Sequence, residues 1–388
     1  MQSTADSLKE PPDHAVGQPA PIKRFFKNLA WVSIPTLILL LLLLEVVFRV
    51  LIPAREAPYV YYDSKESILR FDTSGTREGQ FTAGVFAQQR SRWKVNDQGW
   101  VSSVNYEEGD NETPLIAIIG DSYVESIHAV DTDKNVAARL RYLFNGRFRV
   151  YSFGMGGFAL PSYLHLARHV SRVYRPSMLI VNVVHNDFPD SLCTNRITVG
   201  GLCLKLTSAG IEEVGPIPYH PRRYNRLIRH SALARYLWGN LNAMNTWAAR
   251  FAGHERKVAS NVDIDTVTNE RVAIKTAVEY VVRRFALEFA DKTIIFVLDA
   301  PRPEIYGGKS PREEIRWMHD VLRDACQKHQ VLFLDLTDAF TSSYSRNGRK
   351  FETEWDSHWN EVGHLAAAEA VFNLINSSKR LLRSNYLL

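Results

Sequence analysis

The chain is predicted to be a parallel α/β protein preceded by one transmembrane helix, and three observations predict it. Short apolar runs alternate with helical patterns from residue 113 onward, the rhythm of strands covered on both faces and joined by crossover helices. Glycine, asparagine and aspartate stand directly after those runs, where turns leave the carboxyl ends of strands. Ahead of them, residues 29–52 are mostly apolar, with an unbroken run from Leu37 to Leu44.

The composition sets bounds on the rest. With 388 residues, 45% of them hydrophobic, the chain can bury the core of one large domain or two small ones, which excludes a disordered protein. The 47 basic and 42 acidic residues are scattered and leave a net charge of only +5, so no nucleic-acid partner is expected. Three cysteines without a Cys-x-x-Cys pair give no sign of a metal site or a redox centre, and no cofactor is expected.

Residues 1–28, with Pro11, Pro12, Pro19 and Pro21, are expected to be a flexible cytoplasmic tail. Residues 29–52 match the ~20 residues needed to span a bilayer; a cleavable signal would have a shorter apolar core and a small-x-small site, so an uncleaved signal anchor is expected. Pro35 is expected to kink that helix. Lys23, Arg24 and Lys27 before the span put the N-terminus in the cytoplasm, although Arg49 and Arg55 reduce the contrast. The large domain is then periplasmic or extracellular. Residues 53–112 read as short membrane-proximal strands and turns packing on the first edge of the domain at 113–388.

Within that domain, Leu115 to Ile119 runs into Gly120-Asp121-Ser122-Tyr123. A helix over Val136–Phe144 closes at Asn145-Gly146, and a strand over Phe148–Phe153 ends at Gly154-Met155-Gly156-Gly157. A helix over Leu160–Tyr174 is stopped by Pro176, and a strand over Met178–Val184 ends at His185-Asn186-Asp187. The rhythm breaks over 188–263, which reads as an insertion over the mouth of the site, with a helix through Leu227–Phe251. Its Arg222, Arg223, Arg226, Arg229 and Arg235 read as a solvated helix face, with contact to an anionic polymer or headgroups as the alternative. An oxidising compartment would pair Cys193 with Cys203 and leave Cys326 as a packed thiol. Alternation resumes with a helix near Thr266–Phe289, a strand over Thr293–Leu298, a helix near Arg312–His329 and a strand over Val331–Leu336, the fifth. Trp355-Asp356-Ser357-His358-Trp359-Asn360 and a helix over Gly363–Asn376 close the chain.

A serine presented at the end of a buried strand is a candidate nucleophile, though Asp121 and Ser122 are also ordinary helix caps. Acyl transfer by serine needs a base, a carboxylate to orient it, and donors for the oxyanion. Ser122, Gly157, Asn186 and the Asp356/His358 pair all fall just beyond predicted strands or in the last turn region, so they converge on one sheet edge. His358 is assigned as base, Asp356 as its orienting group, and the oxyanion hole to the backbone N–H groups of Ser122 and Gly157 with the Asn186 side-chain amide. His165, His169 and His364 are expected to pack or face solvent, whereas His128 and His185 either contact substrate or line the pocket.

These four blocks in this order resemble the SGNH (GDSL-type) hydrolases over roughly residues 94–377. The resemblance implies a flavodoxin-like three-layer sandwich with a parallel five-stranded sheet, and the site residues already named. Val184 stands where the third block usually has glycine, and Asp356 and His358 are separated by one residue where the family usually has two. Membrane-anchored relatives share the shorter spacing, followed by Trp-Asn and Gly-His as in Trp359-Asn360 and Gly363-His364. The activity implied is that of a membrane-anchored extracytoplasmic serine esterase or O-acyltransferase acting on acyl esters, acetyl above all, of cell-surface carbohydrate. The alternatives are a lipid or acyl-thioester hydrolase, which an exposed apolar groove beside Ser122 would favour, and a non-catalytic carbohydrate-binding or assembly protein. No protein partner is indicated.

Overall fold

A computed structural model describes residues 21–109, 111–221, 228–241 and 262–377. The chain starts as a helix, α1 (Pro21–Asn28), eight residues before the expected span, because proline suits the first turn of a helix. A π-helical turn at Leu29–Ser33 leads into α2 (Ile34–Val50). Pro35 has no N–H to give and its ring crowds the carbonyl four residues back, and the wider turn just before it absorbs both problems. Phe25–Val50 is long and apolar enough to cross a membrane.

Two antiparallel hairpins follow, β1 (Val60–Asp63) with β2 (Ile68–Phe71), and β3 (Glu78–Ala83) with β4 (Gln89–Lys94). The main sheet begins with β5 (Leu115–Gly120), which enters the one-turn helix α3 (Ser122–Glu125). Then come α4 (Val136–Phe144), β6 (Arg149–Gly154), α5 (Leu160–Tyr174), β7 (Met178–Val183) and α6 (Asp187–Asp190). Left-handed residues stop two of these helices, Asn145 after α4 (φ 46°) and Arg175 after α5 (φ 46°). Asparagine tolerates that conformation, whereas at Arg175 it is Pro176 that forbids continuation.

The insertion contributes a hairpin, β8 (Cys203–Thr207) with β9 (Gly210–Val214), and a short helix, α7 (Ala232–Arg235), continued by a π-helical turn at Tyr236–Asn240. The helix expected over Leu227–Phe251 is therefore a short one where it is described; Leu227 and residues 242–251 lie outside the described residues, as do Arg222, Arg223 and Arg226. Arg229 lies over the Tyr59 ring at 3.6 Å and Arg235 pairs with Glu56 at 3.1 Å, so these two arginines pack on the segment that leads into β1 instead of forming a solvated face. Arg168 on α5 fixes β9 by a fork onto Glu213 (2.7 and 2.9 Å). Cys193 and Cys203 are joined by a disulfide and Cys326 is a buried free thiol. Reduction of the Cys193–Cys203 bond is expected to lower the melting temperature by several degrees, because a short loop closure is worth about 2–3 kcal/mol; thermal unfolding with and without reductant checks this.

The remaining elements are α8 (Ile264–Asn269), α9 (Arg271–Glu288), β10 (Thr293–Leu298), α10 (Arg302–Gly307), α11 (Glu313–Lys328), β11 (Leu332–Asp335), α12 (Thr337–Asn347) and α13 (Glu361–Ser377). The single helix expected near Thr266–Phe289 is two, broken at Glu270, whose carboxylate receives the Asn195 amide at 2.7 Å.

The five long-range strands form one parallel sheet in the order β11-β10-β7-β5-β6. Numbered along the chain this is 2-1-3-4-5, the flavodoxin-like doubly wound order. Alternate residues of each strand feed separate cores. Ala117, Ile119, Leu179, Val181 and Phe296 pack under α5, α9 and α11, and Ile116, Ile118, Ile180, Ile295 and Val297 pack under α4, α12 and α13. The edge strand β6 is covered rather than bare: Tyr106 Oη accepts from Ser152 N (3.0 Å) and donates to Ser152 O (2.9 Å), and its ring stacks on Tyr151. One side chain thus occupies ladder positions that another strand would otherwise fill.

Candidate active site

The strand order places the site. β5 is flanked by β6 and β7, so the turns after these three strands, carrying Ser122, Gly157 and Asn186, lie side by side at the carboxyl edge. Asp121 caps α3 by accepting from Tyr123 N at 2.9 Å, which starts a helix immediately after the strand and puts Ser122 in its first turn. The elbow needs Gly154 on the neighbouring strand: a Cβ there would stand 2.0 Å from the Glu125 backbone nitrogen. Gly154→Ala is accordingly expected to displace α3.

Ser122 Oγ donates to His358 Nε2 at 2.7 Å, and His358 Nδ1 is hydrogen-bonded to Asp356 Oδ1. Asp356 Oδ1 also accepts from the His358 backbone N–H at 2.9 Å. An aspartate commonly caps the amide two residues on, so the one-residue spacing allows one oxygen to hold both the base's amide and its ring. Burial opposes the charge on Asp356, but the His358 charge and the hydrogen bonds from both histidines outweigh it and hold the carboxyl well below the usual range. The carboxylate remains ionised and fixes the proton of His358 on Nδ1, leaving Nε2 free to accept.

The second histidine is His128. Its Nδ1 meets Asp356 Oδ2 at 3.2 Å and its ring stacks on His358, centroids 4.1 Å apart. Burial and the neighbouring His358 charge lower His128 to about 4, so at neutral pH it is an uncharged donor steadying the free oxygen of Asp356. Its own backbone carbonyl is held by Gln89 Nε2 (2.9 Å) and Ser91 Oγ (2.7 Å) of β4. Of the two histidines left open by the sequence, His128 therefore joins the site. His185 instead meets His319 Nε2 at 3.0 Å, and His319 meets Asp335 at 2.7 Å, a chain leading away beneath α11. His165 binds Ser67 O, His169 binds Glu66, and His364 accepts from Val136 N, all packing roles.

Gly157 has φ +82°, a left-handed conformation that a side chain would strain, and its carbonyl accepts from Thr198 Oγ1 at 2.9 Å. A Cβ there would also meet Arg196 Nη2 at 2.8 Å. Asn186 gives its side-chain amide to Asp190 Oδ2 at 3.2 Å, and Arg196 reaches the same oxygen at 2.8 Å. No hydrogen bond among the described residues joins Gly157 or Asn186 to Ser122. Val184, in the place of the family's glycine, does not take up a left-handed backbone; its N–H donates to Asp187 Oδ2 at 2.8 Å, which makes the turn without a glycine.

Beneath the serine lie three buried carboxyls. Burial lifts Asp121 to about 6 against the hydrogen bond from the Tyr123 amide. Burial and the Asp121 charge lift Glu125 to about 8, and Asp187 is raised well above its usual range by the same two causes. Between pH 4.5, its ordinary value, and about 8, Glu125 holds a proton in the folded chain that the unfolded chain has released, so stability falls as pH rises through that window. Glu125→Gln removes this dependence: urea unfolding at pH 9 is expected to show the variant more stable than wild type by a few kcal/mol on the order of magnitude of such shifts, with the two close at pH 4.5.

Sequence reasoning missed Arg302. It is fully buried at the start of α10, between Asp299 (3.3 Å) and Glu352 (2.8 Å), and donates to Ser357 O (2.8 Å) and Tyr123 Oη (2.7 Å). The carbonyl of Ser357 also accepts from Tyr123 Oη at 3.0 Å, and Trp359 Nε1 donates to Asp299 at 2.8 Å. The irregular loop carrying Asp356 and His358 is thereby tied both to β10 and to the residue after Ser122. The available signal was Asp299-x-x-Arg302 directly after a strand.

No family model matches the chain and no curated protein matches it. Among solved structures it is similar to an acetyl xylan esterase, AlAXEase (12% identity, 67% of this chain and 99% of that one, TM-score 0.37). It is similar also to the lipase/acylhydrolase from Enterococcus faecalis (11%, 68% and 96%, TM-score 0.36). A two-domain esterase active on acetylated mannans matches over 68% of this chain and 48% of its own, at 11% identity and TM-score 0.35.

Proposed function

We propose that this protein is a serine ester hydrolase or O-acyltransferase, anchored by Phe25–Val50 with its catalytic domain outside the cytoplasm, acting on acyl esters of cell-surface carbohydrate. The observation that supports it most is the 2.7 Å contact of Ser122 Oγ with His358 Nε2, backed by Asp356 on the opposite ring nitrogen. In such a site Ser122 Oγ bonds to the ester carbonyl carbon as its proton passes to His358 Nε2. The tetrahedral adduct collapses by breaking the bond to the alcohol oxygen, which takes that proton. Water or a sugar hydroxyl then repeats the sequence on the acyl-serine, returning the proton to Ser122. Donors for the oxyanion are available from Ser122 N, Gly157 N and the Asn186 amide, the last after leaving Asp190; such donors are typically worth about 3–4 kcal/mol each.

The test is turnover of p-nitrophenyl acetate and of acetylated oligosaccharides by the full chain in detergent. Acetate release, and acetylated product when an acceptor sugar is added, is expected; a folded protein that turns over no ester contradicts the reading. Asp356→Asn is expected to lose about 10^4-fold in kcat, less than the serine or histidine variants, because the carboxylate orients the base and does not take the serine proton.

A further inference from the structure

The membrane anchor and the catalytic loop are joined by a continuous piece of structure with exposed apolar residues along it. At the outer end of α2, Glu45 accepts from Ser231 Oγ (2.9 Å), Ala232 N (2.8 Å) and Leu233 N (2.9 Å), so a residue of the anchor caps α7. Arg49 donates to His230 O at 2.8 Å, and the Phe48 ring stacks on Tyr236 at 3.8 Å. The anchor is therefore docked on the domain and does not hang as a free tether. Tyr236 Oη in turn donates to Val85 O at 2.7 Å, in the turn between β3 and β4. A Cβ on the neighbouring Gly84 would stand 3.1 Å from the Trp355 ring, and Trp355 precedes Asp356. The chain is also short: Arg55 lies five residues past the end of α2, at most about 18 Å of extended backbone, and its guanidinium, seated on Phe81 at 3.9 Å, feels the charge of Asp356.

Along this path Val85, Phe86, Leu237, Trp238 and Trp355 are exposed, Phe86 by 67% and Trp238 by 54%. The helix Phe25–Val50 has 26 residues, about 39 Å at 1.5 Å per residue, so a hydrocarbon core of about 30 Å leaves its last turn in the headgroup layer. Tryptophan and phenylalanine beside that turn suit the interface, where apolar rings meet polar groups.

We propose that these five residues rest in the leaflet from which the anchor emerges, and that the site takes its ester from a membrane-borne amphiphile rather than from solution. The inference rests on the reading of Phe25–Val50 as a transmembrane anchor, and the bilayer is chosen as occupant because the rim is continuous with that helix. It narrows the substrate class to acyl esters of carbohydrate carried on a lipid.

The experiment uses the full chain in phosphatidylcholine–phosphatidylglycerol nanodiscs, with a nitroxide on a single added cysteine at position 41, 86, 142 or 238. Cys193 and Cys203 are paired and Cys326 is buried, so the added thiol is the reactive one. Labels at 86 and 238 are expected to collide with oxygen more than with a nickel chelate, as the label at 41 in the anchor does, while 142, exposed on α4, favours nickel. If 86 and 238 behave as 142 while 41 stays lipid-exposed, the docking is overturned and the anchor stands; if 41 is also water-exposed, the anchor reading itself fails. In a second arm, Phe86→Asp with Trp238→Asp is expected to raise KM for a vesicle-borne long-chain ester at least tenfold more than KM for p-nitrophenyl acetate. Equal changes for both esters overturn the proposal.

Discussion

Ser122→Ala and His358→Ala are each expected to lower ester turnover by about 10^6-fold, and the double variant no further, because nucleophile and base act as one unit. The structure gives the reason for the non-additivity: of the two acceptors within reach of the serine hydroxyl among the described residues, His358 Nε2 at 2.7 Å is much the nearer. Asp121 Oδ2 is the other acceptor near the hydroxyl, but at 3.4 Å its contact is long and weak, and the carboxylate's other oxygen is held by the Tyr123 amide at 2.9 Å. Single-turnover kinetics with p-nitrophenyl acetate, at matched far-ultraviolet circular dichroism, measures this. A histidine variant retaining a tenth of wild-type kcat would show that another group takes the proton.

Arg302→Ala is expected to have the largest effect on stability, about 3–5 kcal/mol, because it leaves Asp299 and Glu352 as buried charges without their partner. Burial alone would lower the Arg302 pKa, but Asp299, Tyr123 and Glu352 raise it overall, so the guanidinium stays charged and its loss is felt in full. The same substitution releases the Ser357 carbonyl, so the protein that remains folded is expected to lose turnover mainly in kcat. Arg302→Lys separates the two effects: a lysine supplies the charge but not the planar fork that reaches Glu352, Ser357 and Tyr123 together. It is expected to recover part of the stability and little of the kcat. Urea unfolding and steady-state kinetics on the two variants check this, and full kcat in the lysine variant would remove Arg302 from the positioning of the loop.

What the sequence carried and what it did not follow from how each feature is encoded. The inner strands of the main sheet are the most visible because a strand covered on both faces must be mostly apolar, as in Leu115–Ile119 and Thr293–Leu298. Helix α12 was not seen because only Phe340 and Ser343 of its eleven residues are buried, which leaves no apolar period to read. The serine, histidine and aspartate were legible because each follows a strand or closes the last loop, but their hydrogen bonding was not. The role of His128 depends on a partner 228 residues away, and that of Arg302 on four partners from two loops and a helix. Asn186 was assigned by type and position alone, and its present partner, Asp190, is one turn on in its own helix.

The central claim is that Ser122 is a nucleophile activated by His358. The most direct measurement is intact-mass and peptide mapping after brief exposure of the folded protein to a fluorophosphonate. A single phosphonyl adduct on Ser122, lost in Ser122→Ala and slowed at least 10^3-fold in His358→Ala, is predicted from the loss of the base. No adduct on folded wild-type protein, or an adduct at Ser122 whose rate is indifferent to His358, would contradict it.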